Sequence, residues 1–262
     1  AKSGATGFLL AASQRLEYRE IAAIKPGLPT LVFLHEGLGS ASLWRDFPDA
    51  LAKATGAGAL IYSRLGYGWS EPLAGRRAPD YMHVEAERVL PDVLRARGIS
   101  RPILIGHSDG ASIALIFAGR HPDAVDSLIL EAPHVFTEEM GLASIKAAGD
   151  AFRHGDLRRR LKRYHADVEG AFWGWRDAWL DPRFRAWNIE EYLATIRRPV
   201  LLLQGEDDPY GTLAQLRAIE SQVSGPVQTL VLKTCGHAPH REHREATLRA
   251  MARFIGARQT GA

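Results

Sequence analysis

Pro102-Ile103-Leu104-Ile105-Gly106-His107-Ser108-Asp109-Gly110 sets the architecture of this 262-residue chain. The apolar residues before Gly106 are short and β-rich, so they read as a buried strand. Ala111 to Arg120 reads as a helix that stops before His121-Pro122. A G-x-S-x-G pattern between a strand and a helix is a sharp turn holding its serine in a strained backbone conformation. Side chains beside such a turn would clash, so Gly106 and Gly110 keep the approach open. Ala111 and Ser112 continue that small-residue surface.

The same rhythm extends both ways. Thr30 to Leu34, Gly58 to Tyr62, Ser127 to Leu130, Pro199 to Leu203 and Val227 to Leu232 read as further strands. Leu43 to Ala54, Asp80 to Arg97 and Glu242 to Ile255 read as helices, with Pro91 expected to kink the second. Continuous apolar strands alternating with helices indicate a mostly parallel sheet covered on both faces, an α/β fold. Gln14 to Ala23 alternates in polarity and is expected to add antiparallel strands at one edge. Between Leu130 and Pro199 the strands stop. Residues 137–195 are helical in character and hold Trp173, Trp175, Trp179 and Trp187, so they read as a helical cap inserted into a core of 1–136 and 196–262.

Composition is ordinary for a globular protein, with 46% hydrophobic and 24% charged residues. The net charge of +3 is small and spread, which argues against a nucleic-acid partner. The basic run Arg158-Arg159-Arg160, Lys162 and Arg163 reads as a solvated helix face, with attraction for anionic ligands as the functional alternative. Cys235 is the single cysteine, so no internal disulfide forms. Ala1-Lys2-Ser3-Gly4 carries no apolar signal core and no run reaches membrane-span length, so a cytoplasmic location and no membrane partner are expected.

Serine attacks only when a base takes its proton. The chain order for such a turn is nucleophile, acid, histidine. His237, on the loop after the last strand, is the expected base. Gln204-Gly205-Glu206-Asp207-Asp208 follows a buried strand and offers Glu206, Asp207 or Asp208 as the acid, with Glu131 as a strand-end alternative. His240 and His243 read as surface or packing residues of the final helix. Two amides must hold a developing oxyanion. One is that of Asp109, and the other is expected from Gly37, with Leu38 as substitute, in the glycine-rich loop His35-Glu36-Gly37-Leu38-Gly39-Ser40.

Five segments together resemble the α/β-hydrolase superfamily. They are Leu34 to Ser40, Ser63-Arg64-Leu65-Gly66-Tyr67-Gly68-Trp69-Ser70, Gly106 to Gly110, Gly205 to Asp208, and Gly236-His237. The resemblance implies the α/β-hydrolase fold, and it places the acid three residues after Gly205, at Asp208. Gly-x-Ser-Asp-Gly with Gly-Glu-x-Asp-Pro is similar to the carboxylesterase and valacyclovirase branch, which includes aminoacyl ester hydrolases. Glu36 stands where that pattern has glycine and puts a carboxylate near the mouth of the site.

The expected chemistry is cleavage of a small-molecule carboxylic ester through an acyl-serine, with Ser108, His237 and Asp208 as triad and no cofactor or metal. The Asp109 carboxylate either joins a polar network or meets a cationic amine on the substrate, with Glu36 assisting. Leu38, Trp173 and Trp175 are the expected pocket residues, or the tryptophans form the core of the cap. Carbon–carbon bond hydrolysis of ring-cleavage products and perhydrolysis use the same triad, while dehalogenation would need a carboxylate at 108. A non-catalytic binding role is the remaining rival.

Overall fold

The computed structural model describes residues 4–259, so Ala1-Lys2-Ser3 lie outside the described residues. Among the described residues, eight strands form one sheet. They are β1 (Thr6–Ala11), β2 (Gln14–Ile21), β3 (Leu31–Leu34), β4 (Ala59–Tyr62), β5 (Ile103–His107), β6 (Ser127–Glu131), β7 (Val200–Gly205) and β8 (Val227–Leu232). Their order is β1-β2-β4-β3-β5-β6-β7-β8. β1 pairs antiparallel with β2, and β2 with β4; the other pairings are parallel. This is the α/β-hydrolase architecture, with the alternating N-terminal segment at the edge.

Period-two alternation divides the apolar strands between two cores. Val32, Leu34, Leu60, Leu104, Leu128 and Leu202 face one side. Leu31, Phe33, Ile61, Ile105, Ile129 and Leu203 face the other. β8 departs from the buried pattern because it closes the sheet at an edge, and only Leu232 of it is buried.

The expected helix from Asp80 is continuous through Ala96, but its middle turn, Glu85–Val89, is a π-helix. Leu90 N–H reaches back to the Glu85 carbonyl, five residues away. Pro91 follows at once; it has no N–H to give and its ring crowds the preceding turn, so the helix widens there. The first expected helix begins later than its apolar pattern, at Phe47. The last is two pieces, Pro239–Glu242 and Arg244–Gln259.

Between β6 and β7 the chain makes helices Glu139–His154, Leu157–Leu161 and Val168–Trp179, then 3₁₀ turns at Pro182–Ala186 and Glu190–Thr195. An antiparallel bridge, Phe136 to Asn188, ties the two ends of this excursion together. Among the described residues no helix is long and apolar enough to cross a membrane.

The sheet order reverses at the β3–β5 boundary: the chain leaves β3 for β4 on one side and enters β5 on the other. Such a switch point opens a crevice beyond the carboxyl ends of the strands. The Gly37 loop leaves β3 there and Ser108 leaves β5 there.

Candidate active site

Ser108 has φ 54° and ψ −116°, a conformation that L-residues avoid. Its neighbours hold it there. Its N–H donates to the Glu131 carbonyl at 2.9 Å, and its own carbonyl accepts from Ala111 and Ser112. A Cβ on Gly106 would lie 2.5 Å from the Gly110 oxygen, and one on Gly110 would lie 2.0 Å from the Leu34 oxygen. The two glycines therefore let helix Asp109–Arg120 dock directly on the ends of β3 and β5.

His237 reaches the same place from the loop after β8. Its Nδ1–H donates to both oxygens of Asp208, at 2.8 and 2.9 Å. Asp208 also accepts from the Tyr210 amide at 2.9 Å. Burial opposes ionisation of Asp208, but the His237 charge, its hydrogen bond and the Tyr210 amide outweigh burial and hold the carboxyl below its usual range. A carboxylate accepts only, so Nδ1 carries the proton in this pair, which leaves Nε2 as the ring nitrogen turned to receive a proton from Ser108. Glu206 and Asp207 are exposed. Glu131 is engaged elsewhere, accepting from His240 Nδ1 at 2.7 Å.

Ser108, His237, Gly37, Leu38 and Asp109 line one cavity of about 380 Å³. No hydrogen bond joins Ser108 Oγ to His237 among the described residues; such contacts commonly tighten only when substrate binds. Asp109 opens its helix, where main-chain N–H groups have no intrahelical partner and carry partial positive charge. Gly37 must be glycine for a reason absent from its own loop: a Cβ there would lie 2.2 Å from Trp175 Nε1.

That loop is fastened from three directions. His35 Nδ1–H donates to the Glu36 carbonyl at 2.6 Å, while its Nε2 accepts from the Arg64 amide. Burial, with Arg64 nearby, pushes His35 well below its ordinary pKa and keeps it neutral. Arg64 Nη2 donates to the carbonyls of His35 and Glu36 at 3.3 and 3.0 Å. His165 Nε2–H donates to the Leu38 carbonyl at 2.9 Å, while its Nδ1 accepts from Gly68.

The Asp109 side chain is not available to a substrate cation. It accepts from the Tyr81 hydroxyl and from Trp179 Nε1, with Arg64 Nη2 at 3.7 Å. Its residue is 1% exposed. The polar-network reading therefore stands over the amine-binding one. Glu36 lines the cavity, with His107 Nδ1 at 3.4 Å from its carboxylate. Burial resists its ionisation, yet His107 holds its carboxyl well below the usual range. His107 Nε2–H also donates to the His237 carbonyl at 2.7 Å, which links the Gly37 loop to the His237 loop.

Two expectations need correction. Trp173 is not a cavity residue: its indole donates to Glu169 and its ring lies under Arg153 and Arg176. Trp175 and Trp179 line the cavity instead. Four residues apart, they share a helix face that Trp173 does not. His240 is not a residue of the final helix: it sits on the separate turn Pro239–Glu242, buried against Glu131, Trp44 and Phe47. The sequence reading also missed His134, which lines the cavity with its ring 6.0 Å from His237. Burial, then the His237 charge, lowers His134 to about 4. Cys235 is buried and pushed up to about 12, chiefly by burial, so its thiol is unreactive.

A family model described as the alpha/beta hydrolase fold matches residues 29–178, and the chain belongs to that family. It is similar to a 2-succinyl-6-hydroxy-2,4-cyclohexadiene-1-carboxylate synthase of Klebsiella pneumoniae, 26% identical over 88% of this chain and 95% of that protein. It is also similar to a 2-hydroxy-6-oxononadienedioate/2-hydroxy-6-oxononatrienedioate hydrolase of Paraburkholderia phymatum, 27% identical over 92% of this chain and 91% of that protein. Among solved structures, haloalkane dehalogenase DbeA of Bradyrhizobium elkani superposes with a TM-score of 0.78 at 17% identity, over 99% of this chain and all of that one. The chain is thus an α/β-hydrolase by fold and family, and hydrolase chemistry is the class its relatives support.

Proposed function

We propose that this chain is a serine hydrolase with Ser108 as nucleophile, His237 as general base and acid, and Asp208 as the group that orients His237. The observation that carries this reading is the Asp208–His237 pair facing the cavity into which the strained Ser108 also opens. His237 Nε2 takes the Ser108 proton as Oγ attacks a carbonyl carbon. The amides of Gly37 and Asp109 receive the charge that develops on oxygen. His237 then protonates the leaving group and activates the water that releases the acid.

The preferred substrate class is a small-molecule carboxylic ester, and no cofactor enters these steps. Residues 137–195 act as a cap over a core of 1–136 and 196–262, since Ile145, Leu157, Leu161, Trp175 and Trp179 from that excursion line the cavity above Ser108. A cytoplasmic location fits this small-molecule role.

Carbon–carbon bond hydrolysis is the second reading. It is favoured by relatives named as oxononadienedioate hydrolases that align over most of the chain. The test is turnover of p-nitrophenyl esters, acetate through octanoate, and of a vinylogous diketone, by wild type and Ser108→Ala side by side. Ester turnover lost in the variant supports the first reading, and diketone cleavage alone supports the second. Ester turnover that survives Ser108→Ala refutes the serine mechanism.

A further inference from the structure

The basic run after Asp156 reaches past its exposed helix face. Arg158 pairs with Glu169 on the surface, as a solvated face would. Arg160 and Arg163, however, line the cavity. Arg45, from the turn before helix Phe47–Thr55, and Arg241, from the turn Pro239–Glu242, join them. Four arginines from three distant parts of the chain therefore meet around one cavity. All four are exposed whereas Ser108 is buried, so they form the rim and Ser108 the floor.

Three carboxylates share this lining: Glu36, Asp109 and Glu242. Each is already engaged. Glu36 faces His107, and Asp109 accepts from Tyr81 and Trp179. Glu242 accepts from the amides of Gly236 and Ala238, at 2.6 and 3.1 Å. The arginines are not matched in the same way. Arg160 lies 3.4 Å from Asp156, an exposed pair one turn away. No carboxylate lies within ion-pair distance of Arg45, Arg163 or Arg241 among the described residues. Arg45, Arg163 and Tyr164 also border a neighbouring surface groove. Its carboxylates are engaged: Glu17 accepts from Ser63 and Trp69, Asp46 pairs with Arg244 and Asp49 with Arg19.

We propose that this rim is a binding subsite for a carboxylate carried by the substrate at the end remote from its reacting carbonyl. The inference rests on Ser108 being the nucleophile below it. Guanidinium groups bind carboxylates through paired, charge-assisted hydrogen bonds, and four exposed guanidinium groups against the one exposed carboxylate of Glu242 leave the rim net positive, which draws anions toward the cavity. Leu38, Ile145, Leu161 and Trp175 give the same cavity an apolar surface beside the polar His107, His134 and Tyr210. The substrate class is therefore an acyl compound with a carbonyl at one end, an apolar spacer and a free carboxylate at the other. Because the arginines are exposed, salt screens their contribution.

The test compares mono-p-nitrophenyl esters of glutarate and adipate with the same diacids capped as methyl esters. Wild type is expected to favour the free acids roughly tenfold in kcat/KM at low salt, with the preference shrinking as salt rises. Arg163→Gln/Arg241→Gln is expected to remove that preference. Arg249→Gln, which changes an exposed arginine paired with Glu245 outside the cavity, is expected to retain it. A wild type that favours the capped esters at low salt overturns the proposal, as does a double variant that loses both substrates in equal proportion. If wild type cleaves none of these esters, calorimetric titration with adipate separates the two ideas. Binding by wild type that disappears in the double variant upholds the subsite and sinks the ester reading, whereas no binding overturns the subsite itself.

Discussion

Asp208→Asn changes little in shape and much in proton placement. In the structure the Tyr210 amide donates to Oδ1 of Asp208, and His237 Nδ1–H donates to both carboxylate oxygens. An asparagine must keep its carbonyl oxygen toward Tyr210, because the alternative turns two donors face to face. Its NH₂ then points at His237 Nδ1, which must become an acceptor. The proton moves to Nε2, the nitrogen that Ser108 needs as a base. A base presented in the wrong tautomer costs about 10,000-fold in kcat, or about 5 kcal/mol of barrier. The assay is steady-state hydrolysis of the best p-nitrophenyl ester by wild type, Asp208→Asn, Asp207→Asn and Glu131→Gln, with thermal unfolding to confirm that each is folded. A folded Asp208→Asn that keeps more than roughly a tenth of wild-type kcat, far above the loss expected from a wrong tautomer, would refute the assignment. So would a collapse confined to Asp207→Asn or Glu131→Gln.

Other perturbations probe the surroundings. His134 is lowered to about 4 in the folded protein, chiefly by burial and then by His237. Unfolding returns it to an ordinary value of about 6.5, so the unfolded chain binds more protons between those two pH values. The stability its neutral form contributes above pH ~6.5 is therefore lost as pH falls through that window, by about 2 kcal/mol at pH ~5. His134→Asn is expected to narrow the difference in unfolding free energy between neutral and acid pH by that amount; denaturant titrations that show the same difference in both proteins would contradict it. Arg64→Met strips Asp109 of its cation and the Gly37 loop of two donors. Breaking a buried pair in this way is expected to cost about 3–5 kcal/mol. A Tm drop under roughly 2 °C, less than 1 kcal/mol in a chain of this size, would count against that role.

What the sequence makes legible follows physical range. The turn at Ser108 depends on residues adjacent in the chain, and period-two alternation is local, so elbow, strands and sheet class could be read directly. Asp208 depended on family resemblance, because nothing in Glu206-Asp207-Asp208 alone says which carboxyl turns inward. The pairing that removes Glu131 from contention joins it to His240 across 109 residues. Pro239 opens a separate turn ahead of the last helix, and helical periodicity alone merged the two. The choice of Trp173 beside Trp175 ignored a signal that was present: Trp175 and Trp179, at i and i+4, share a face. Asp109 is surrounded by Arg64, Tyr81 and Trp179, which come from a loop and two helices far apart in the chain, so its network could not be read from the motif around it.

The central claim is that Ser108 is the nucleophile, and covalent labelling tests it without knowledge of the substrate. Wild type treated with a fluorophosphonate is expected to gain one adduct by intact mass, mapped after digestion to the peptide containing Ser108, and folded Ser108→Ala is expected to gain none. Equal labelling of the two proteins, or an adduct on any other residue, would contradict the account.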